Sequence, residues 1–235
     1  MEKHAVLIVG RGKLAQELLD GLRSQTVSMV APWEDRDAVR GQRVFVVHAG
    51  SGRELGDAVK FCSVTGSVLL DLSTAGSQLP EAPDFPLVVC PNVNMQMLGF
   101  MAMVRQGAKY FRGRDIRITE SHQASKSTRP GTAIHLAHSL DVPEEEIRSE
   151  RDPKTQSEVL KIPSAHLERH AFHEIVISDA EVEIRLQTRV LGKTAYASGL
   201  AQIIDMMNGT TIGPGLHDIV DLLVNDFETP GGDLD

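Results

Sequence analysis

The run from Ala5 to Val9 is apolar at every position, the pattern of a strand covered on both faces of a parallel sheet, and Gly10 ends it. Apolar residues then recur at Leu14, Leu18, Leu19 and Leu22, the spacing of one helix face, so the chain opens as strand, glycine turn, helix. Val27 to Ala31 predicts a second strand, stopped by Pro32. RVFVVH at 43–48, VLLDL at 68–72 and LVVC at 87–90 predict three more, with helical character over Glu54 to Cys62. Strands alternating with helices predict an α/β fold with a doubly wound parallel sheet of Rossmann type.

Beyond Pro91 the pattern changes. A helix-length stretch runs from Met95 to Phe111, and its Met95, Met97, Met101 and Met103 are expected to pack into a core. A strand over Ile116 to Glu120, a polar loop and a helix over Thr132 to Leu140 follow. VEIRLQTRV at 182–190 alternates apolar and polar residues strictly, the mark of a sheet with one wet face, and Glu174 to Ser178 is its expected antiparallel partner. Helical spacing returns over Ala197 to Met207 and Ile219 to Val224, and FETPGGDLD reads as a frayed end or tag remnant.

The first turn carries candidate chemistry. Gly10-Arg11-Gly12-Lys13-Leu14-Ala15 fits the dinucleotide fingerprint G-x-G-x-x-G/A, directly after a strand and at the head of a helix. The first glycine permits the turn, the second lets backbone approach a pyrophosphate, and small Ala15 lets helix pack on strand; Lys13 adds a cation. The expected ligand is NADH or NADPH. An acidic residue about 20 positions on binds ribose hydroxyls, whereas a basic one accommodates a 2′-phosphate. Glu34, Asp35 and Arg36 offer both signs, so Glu34 is a candidate ribose ligand with a solvated charged loop as the alternative.

A dinucleotide-binding domain is therefore expected over 1–92 and about 200–228, with a second α+β domain over 93–199 built on a mixed or antiparallel sheet. A hydrophobic content of 41% is enough for a core at 235 residues. A net charge of -8 disfavours a nucleic-acid surface, which works by neutralising phosphates. Cys62 and Cys90 stand far apart, so neither a disulfide framework nor a thiolate metal site is expected, and a reducing cytoplasm fits. The apolar runs are too short for a signal peptide or a membrane span. His166, His170 and His173 lack acidic or thiolate partners at ligand spacing, so no metal is expected. His48, at a strand end, either faces a nicotinamide or caps the strand.

ESHQASKSTRPGT at 120–132 lies between a strand and a helix, where α/β proteins carry reactive side chains. His122 offers an imidazole that exchanges protons near neutral pH, and Lys126 an ammonium that serves as proton donor or counter-charge to a carboxylate. Gly131 and Thr132 open the next helix, so their N–H groups, the Thr132 hydroxyl and the helix dipole suit a carboxylate.

SHQASK followed by GT resembles the substrate motif of the 4-hydroxy-tetrahydrodipicolinate reductase family, and is more similar to its plant-type branch than to the bacterial form with two adjacent histidines. RDPKTQ at 151–156 and IPSAHLERHAFHE at 162–174 resemble the plant-type pattern, and GKTAYASG at 192–199 resembles the family's G-R-x-x-Y/F-A-x-G. The resemblance implies NAD(P)H-dependent reduction of a cyclic dicarboxylate imine in lysine and diaminopimelate biosynthesis, by a cytoplasmic homotetramer. It implies His122 as proton donor and Lys126 in substrate binding and proton transfer, with Gln123, Gly131, Thr132 and Lys193 around the substrate. Ser73-Thr74 resembles part of the family's nicotinamide loop, and Pro91-Asn92 its turn into the substrate domain.

Thr128, Arg129 and Pro130 depart from the family pattern, which has Asp two residues after the lysine and Ser directly before Gly-Thr. The alternatives are a same-fold reductase or amino-acid dehydrogenase with a different substrate, or a nucleotide-binding homologue without activity.

Overall fold

In the computed structural model, residues 3–73, 78–126, 130–192 and 194–225 are described. The buried apolar runs become strands β1 (His4–Val9), β2 (Val27–Pro32), β3 (Phe45–His48), β4 (Val68–Asp71) and β5 (Pro86–Val89), with helices α1 (Lys13–Gly21) and α2 (Leu55–Thr65) between them. Helix α3 (Met95–Gly107) follows, then β6 (Asp115–His122), α4 (Gly131–Ser139), β7 (Arg148–Glu150), α5 (Pro153–Glu158), β8 (His170–Ser178) and β9 (Glu183–Leu191). The chain ends through α6 (Ala195–Asn208), β10 (Gly215–Asp218) and α7 (Ile219–Asn225). Two units result, one formed by Met1–Leu98 with Tyr196–Asp235 and the other by Gly99–Ala195.

The first unit holds a six-stranded sheet in the order β10-β5-β4-β3-β1-β2, with every pairing parallel. Leu7, Val46, Leu69 and Leu87 are fully buried in it, as all-apolar central strands require. The chain leaves β1 toward β2 on one side and returns to β3 on the other, so the turns after β1 and β3 sit at the switch point where such sheets bind ligands. No helix follows β2. Instead a 3₁₀ segment, Trp33–Val39, is pinned by buried Trp33, which meets the Phe61 ring edge-on at 5.5 Å and carries the Arg36 guanidinium 4.9 Å above it. Helix α6 approaches α1 closely where Gly21 meets Ala197, and the Tyr196 N–H donates to Glu17 Oε1 at 2.9 Å.

The second unit holds a mixed sheet, β7-β6-β8-β9, in which β6 pairs parallel with β7 and antiparallel with β8, and β8 pairs antiparallel with β9. The α/β class with a parallel sheet followed by a mixed one is as the hydrophobic pattern predicts. Three local expectations need correction. Strand β6 continues through His122, because Ser121 and His122 keep pairing with Phe172 and Ala171, so the reactive histidine stands on a strand and not in the loop. Met103 is 53% exposed: it lies about 200° around the helix from buried Met101, on the outer face. Strands β7 and β10 were not expected, since RSE and GLHD contain no apolar run and their pairing is imposed by β6 and β5. The segment FETPGGDLD lies outside the described residues. Among the described residues no helix is long and apolar enough to cross a membrane.

Candidate functional site

At the switch point, Gly10 has φ 130°, and a Cβ there would stand 2.8 Å from the Ala49 carbonyl carbon and oxygen and 2.9 Å from the Gly50 Cα. Only glycine lets the two turns meet this closely. The Ala49 N–H donates to Val9 O at 2.8 Å, locking the turn after β3 onto the end of β1. Gly12 caps α1 in extended conformation, its carbonyl accepts the Gln16 N–H at 3.0 Å, and a Cβ on it would meet nothing within 4 Å. That open side is what close approach of a phosphate to backbone requires. Gly10, Arg11, Gly12, Ala49, Gly50, Ser51, Arg53 and Glu54 line one cleft.

Arg11 donates from Nε at 2.9 Å and from Nη2 at 2.5 Å to the same Glu34 oxygen, so two predicted cofactor residues, one on each side of β2, meet. Glu34's own backbone N–H, then the Arg11 hydrogen bond, hold its carboxyl below the usual range. Lys13 is exposed, Leu14 half-buried and Ala15 fully buried against the sheet. Ser73 donates from its N–H (3.2 Å) and hydroxyl (2.9 Å) to Asp71, whose Oδ1 also pairs with His48 Nδ1 at 2.6 Å. His48 is therefore a buried partner of a carboxylate at the ends of β3 and β4, an arrangement neither earlier alternative anticipated. Asn92 is buried and accepts the Asn94 N–H at 2.8 Å, shaping the turn before α3. Thr74 lies outside the described residues.

The second cluster is built on β6. Residues 120 and 122 point to one face of the strand. Pairing brings His173 opposite Glu120 and Thr188 opposite His173 on that face. His122 Nδ1 meets Glu120 Oε2 at 2.8 Å, and Arg151 grips the same carboxylate with Nη1 to Oε2 at 3.1 Å and Nη2 to Oε1 at 2.6 Å. Arg151 Nε also donates to the Lys126 carbonyl at 3.1 Å, and the Lys126 N–H to the Gln123 carbonyl at 2.9 Å. Gln123 and Lys126 thus stand in a short turn directly after His122 at the end of β6, all three half-buried. Gly131 and Thr132 begin α4, whose first turn closes with Ala133 and Ile134 N–H both donating to Pro130 O. Lys193, Thr128 and Arg129 lie outside the described residues.

The electrostatics follow from burial. Desolvation, the largest influence, would raise the Glu120 pKa, but hydrogen bonds from His122, Arg151 and Ser149 outweigh it and bring it down to about 2. Desolvation lowers His122 despite Glu120, and the Lys126 and Arg151 charges push it further down. Lys126 is lowered chiefly by desolvation, with Arg151 adding to it and Glu120 opposing. His173 is driven down to about 3 by burial, then by the His122 charge; its ring meets that of His122 edge-on at 5.8 Å. His170, three residues from His173, points to the other face and pairs with Ser121 Oγ at 3.0 Å, so the histidine spacing spans both faces of β8. Among the described residues no group of three or more His, Cys, Asp or Glu could hold a metal ion.

Glu120, Arg151 and His173 were missed as site residues. The sequence signal for Glu120 is its separation of two from His122 on a strand, which fixes a shared face; Arg151 and His173 reach it only through sheet pairing.

A parallel sheet with a glycine turn at its switch point, together with a mixed-sheet unit bearing a His, Glu and Arg cluster, defines a two-unit α/β chain of the Rossmann class. The family model described as dihydrodipicolinate reductase, C-terminus, matches residues 97–223, more than half of the chain, and the chain belongs to that family. Over 132 residues it is 34% identical to 4-hydroxy-tetrahydrodipicolinate reductase 2, chloroplastic, of Arabidopsis thaliana, a stretch covering 50% of this chain and 37% of that protein. Over 150 residues it is 31% identical to a probable 4-hydroxy-tetrahydrodipicolinate reductase 1, chloroplastic, of Oryza sativa subsp. japonica, covering 58% of this chain and 44% of that one. The matched stretch is less than half the length of both relatives. In fold it is similar to a dipicolinate-bound dihydrodipicolinate reductase from Paenisporosarcina sp. TG-14, with a TM-score of 0.60 and 15% identity over 92% of this chain and 97% of that chain.

Proposed function

We propose that the chain is an NAD(P)H-dependent reductase of a cyclic dicarboxylate imine, 4-hydroxy-tetrahydrodipicolinate, which takes up a hydride and a proton and loses its hydroxyl as water, giving tetrahydrodipicolinate for lysine and diaminopimelate synthesis. The observation that carries this is the pairing of His122 with Glu120 at the end of β6, directly before the turn that carries a desolvated Lys126, within a family whose relatives bear that name. In this reading residues 1–92 and about 200–228 bind the dinucleotide, and 93–199 bind substrate and mediate self-association, as a homotetramer.

The open side of Gly12 and the glycine contact at Gly10 fit a pyrophosphate, with Arg11, Lys13, Leu14, Glu34, Ser73, Thr74 and Asn92 as further cofactor contacts. The nicotinamide group, when bound, supplies the hydride. The chain's own residues hold charge and protons. Gln123, Lys193 and the Gly131-Thr132 helix start bind the carboxylates, where amide dipoles and cations favour anions. Lys126 holds an ammonium proton, and His122, when its ring is doubly protonated, holds Nδ1–H to Glu120 and donates from Nε2–H, ending as the neutral Nδ1–H tautomer; in this reading these two groups protonate the reduced ring. Cys62 and Cys90, both free and buried, suit a reducing cytoplasm.

Loss of NADPH or NADH absorbance with freshly generated 4-hydroxy-tetrahydrodipicolinate is the expected result, and His122→Ala should lower kcat by about 10²- to 10⁴-fold with cofactor affinity unchanged. Cofactor binding with no turnover of this or any related dicarboxylate imine would overturn the reading.

A further inference from the structure

The face of β6 that carries Ile116 and Ile118 against Ile177 and Ile175 of β8 changes character at its end, where Glu120 and His122 take the next two places in the row. Glu120 is fully buried, and its side chain has no solvent contact that would offset the cost of placing a carboxylate there. An apolar side chain would continue the row at no such cost, since well-packed apolar replacements of buried ion pairs are generally no less stable. What the carboxylate adds is direction. Its Oε2 accepts from His122 at 2.8 Å and from Arg151 Nη1 at 3.1 Å, and its Oε1 accepts from Arg151 Nη2 at 2.6 Å. A carboxylate acceptor at Nδ1 fixes the proton on that nitrogen and leaves Nε2 as the acceptor nitrogen of the neutral ring. The guanidinium has a third engagement, Nε to the Lys126 carbonyl at 3.1 Å, which ties the backbone of the lysine turn to the same anchor. The planar fork of arginine meets all three acceptors at once, which an ammonium cannot do.

We propose that Glu120 and Arg151 are positioning residues: the buried carboxylate holds His122 in its Nδ1–H tautomer, and the guanidinium that grips it sets the Lys126 turn beside that ring. The catalytic meaning of this clamp rests on the reductase reading above; its geometry does not.

Among the described residues, the titratable and charged groups facing His122 are Glu120 on its own strand, Lys126 from the turn after β6, Arg151 from the turn after β7 and His173 from β8. Removing the negative partner and removing the positive one must therefore move the His122 titration in opposite directions. The test uses the full chain labelled with ¹⁵N-histidine. In the wild-type protein above pH 8, the His122 ring nitrogens should show the Nδ1–H tautomer. Glu120→Gln should lower the His122 midpoint by about one pH unit and Arg151→Gln should raise it by a similar amount. In turnover, Arg151→Gln should lower kcat with the KM for cofactor unchanged, and Arg151→Lys should return the midpoint close to the wild-type value while recovering only part of kcat. A wild-type ring in the Nε2–H form overturns the proposal, and that measurement stands even where a variant does not fold. Midpoints that move the same way, or not at all, in folded variants also overturn it. The expected tautomer and opposite shifts in a chain that turns over no imine would support the clamp and count against the reductase reading alone.

Discussion

Burying an imidazole without charge compensation makes folding depend on pH, and His173 does this most clearly. It is 1% exposed, its Nδ1 reaches Thr188 Oγ1 at 3.3 Å, and its Nε2 has no partner among the described residues. Burial, then the neighbouring His122 charge, takes its pKa from 6.5 to about 3. The folded value lies below the unfolded one, so unfolding takes up a proton between them. Stability is fully present above pH 6.5 and declines as the pH falls toward 3, by up to about 1.4 kcal/mol per pH unit. Denaturant titrations at pH 7.5 and pH 5 should show a loss in the wild type that exceeds the loss in His173→Gln by about 2 kcal/mol. Equal losses in the two proteins would show that His173 already carries a proton when folded. The same residue shows why part of the site was hidden. His122, Gln123 and Lys126 stand in one short motif, whereas His173 and Arg151 approach Glu120 from 53 and 31 residues away, and no local pattern announces such pairings.

Elements were legible in proportion to how far each is decided by its own burial. The all-apolar β1 and the alternating β9 declare themselves, one buried on both faces and one at a sheet edge with a wet face. Strands β7 and β10 are held by neighbours, and the 3₁₀ segment after β2 is held by one tryptophan, so their sequences carry no period to read. Helix α6 shows a constraint of another kind. A Cβ on Gly199 would lie 1.9 Å from the Val93 carbonyl oxygen and 2.9 Å from its carbon, backbone that no side-chain rotation relieves. Gly199→Ala must push α6 away from the turn before α3, at a cost of about 3 kcal/mol, the upper range for overpacking. Thermal unfolding checks this: the variant should melt well below the wild type, and a melting temperature unchanged within error would show that α6 does not depend on close seating against Val93.

Across the whole molecule, the parallel sheet and the mixed sheet each carry one half of the proposed chemistry, a glycine turn shaped for phosphates and a buried Glu120, gripped by half-buried Arg151, holding His122. The class of fold and the glycine turn were readable from periodicity and spacing. The substrate reading came from the resemblance of SHQASK and GT to a family motif, because a lone histidine and lysine have no signature of their own. The central claim is that this chain reduces an imine by hydride transfer. Incubating it with 4-hydroxy-tetrahydrodipicolinate and NADPH carrying deuterium at both C4 positions of the nicotinamide tests that directly by mass spectrometry of the product. Tetrahydrodipicolinate carrying one deuteron from the cofactor, absent when His122→Ala replaces the wild type for the same short time, is the predicted result. Unlabelled product, or consumption of the cofactor without any reduced imine, would contradict it.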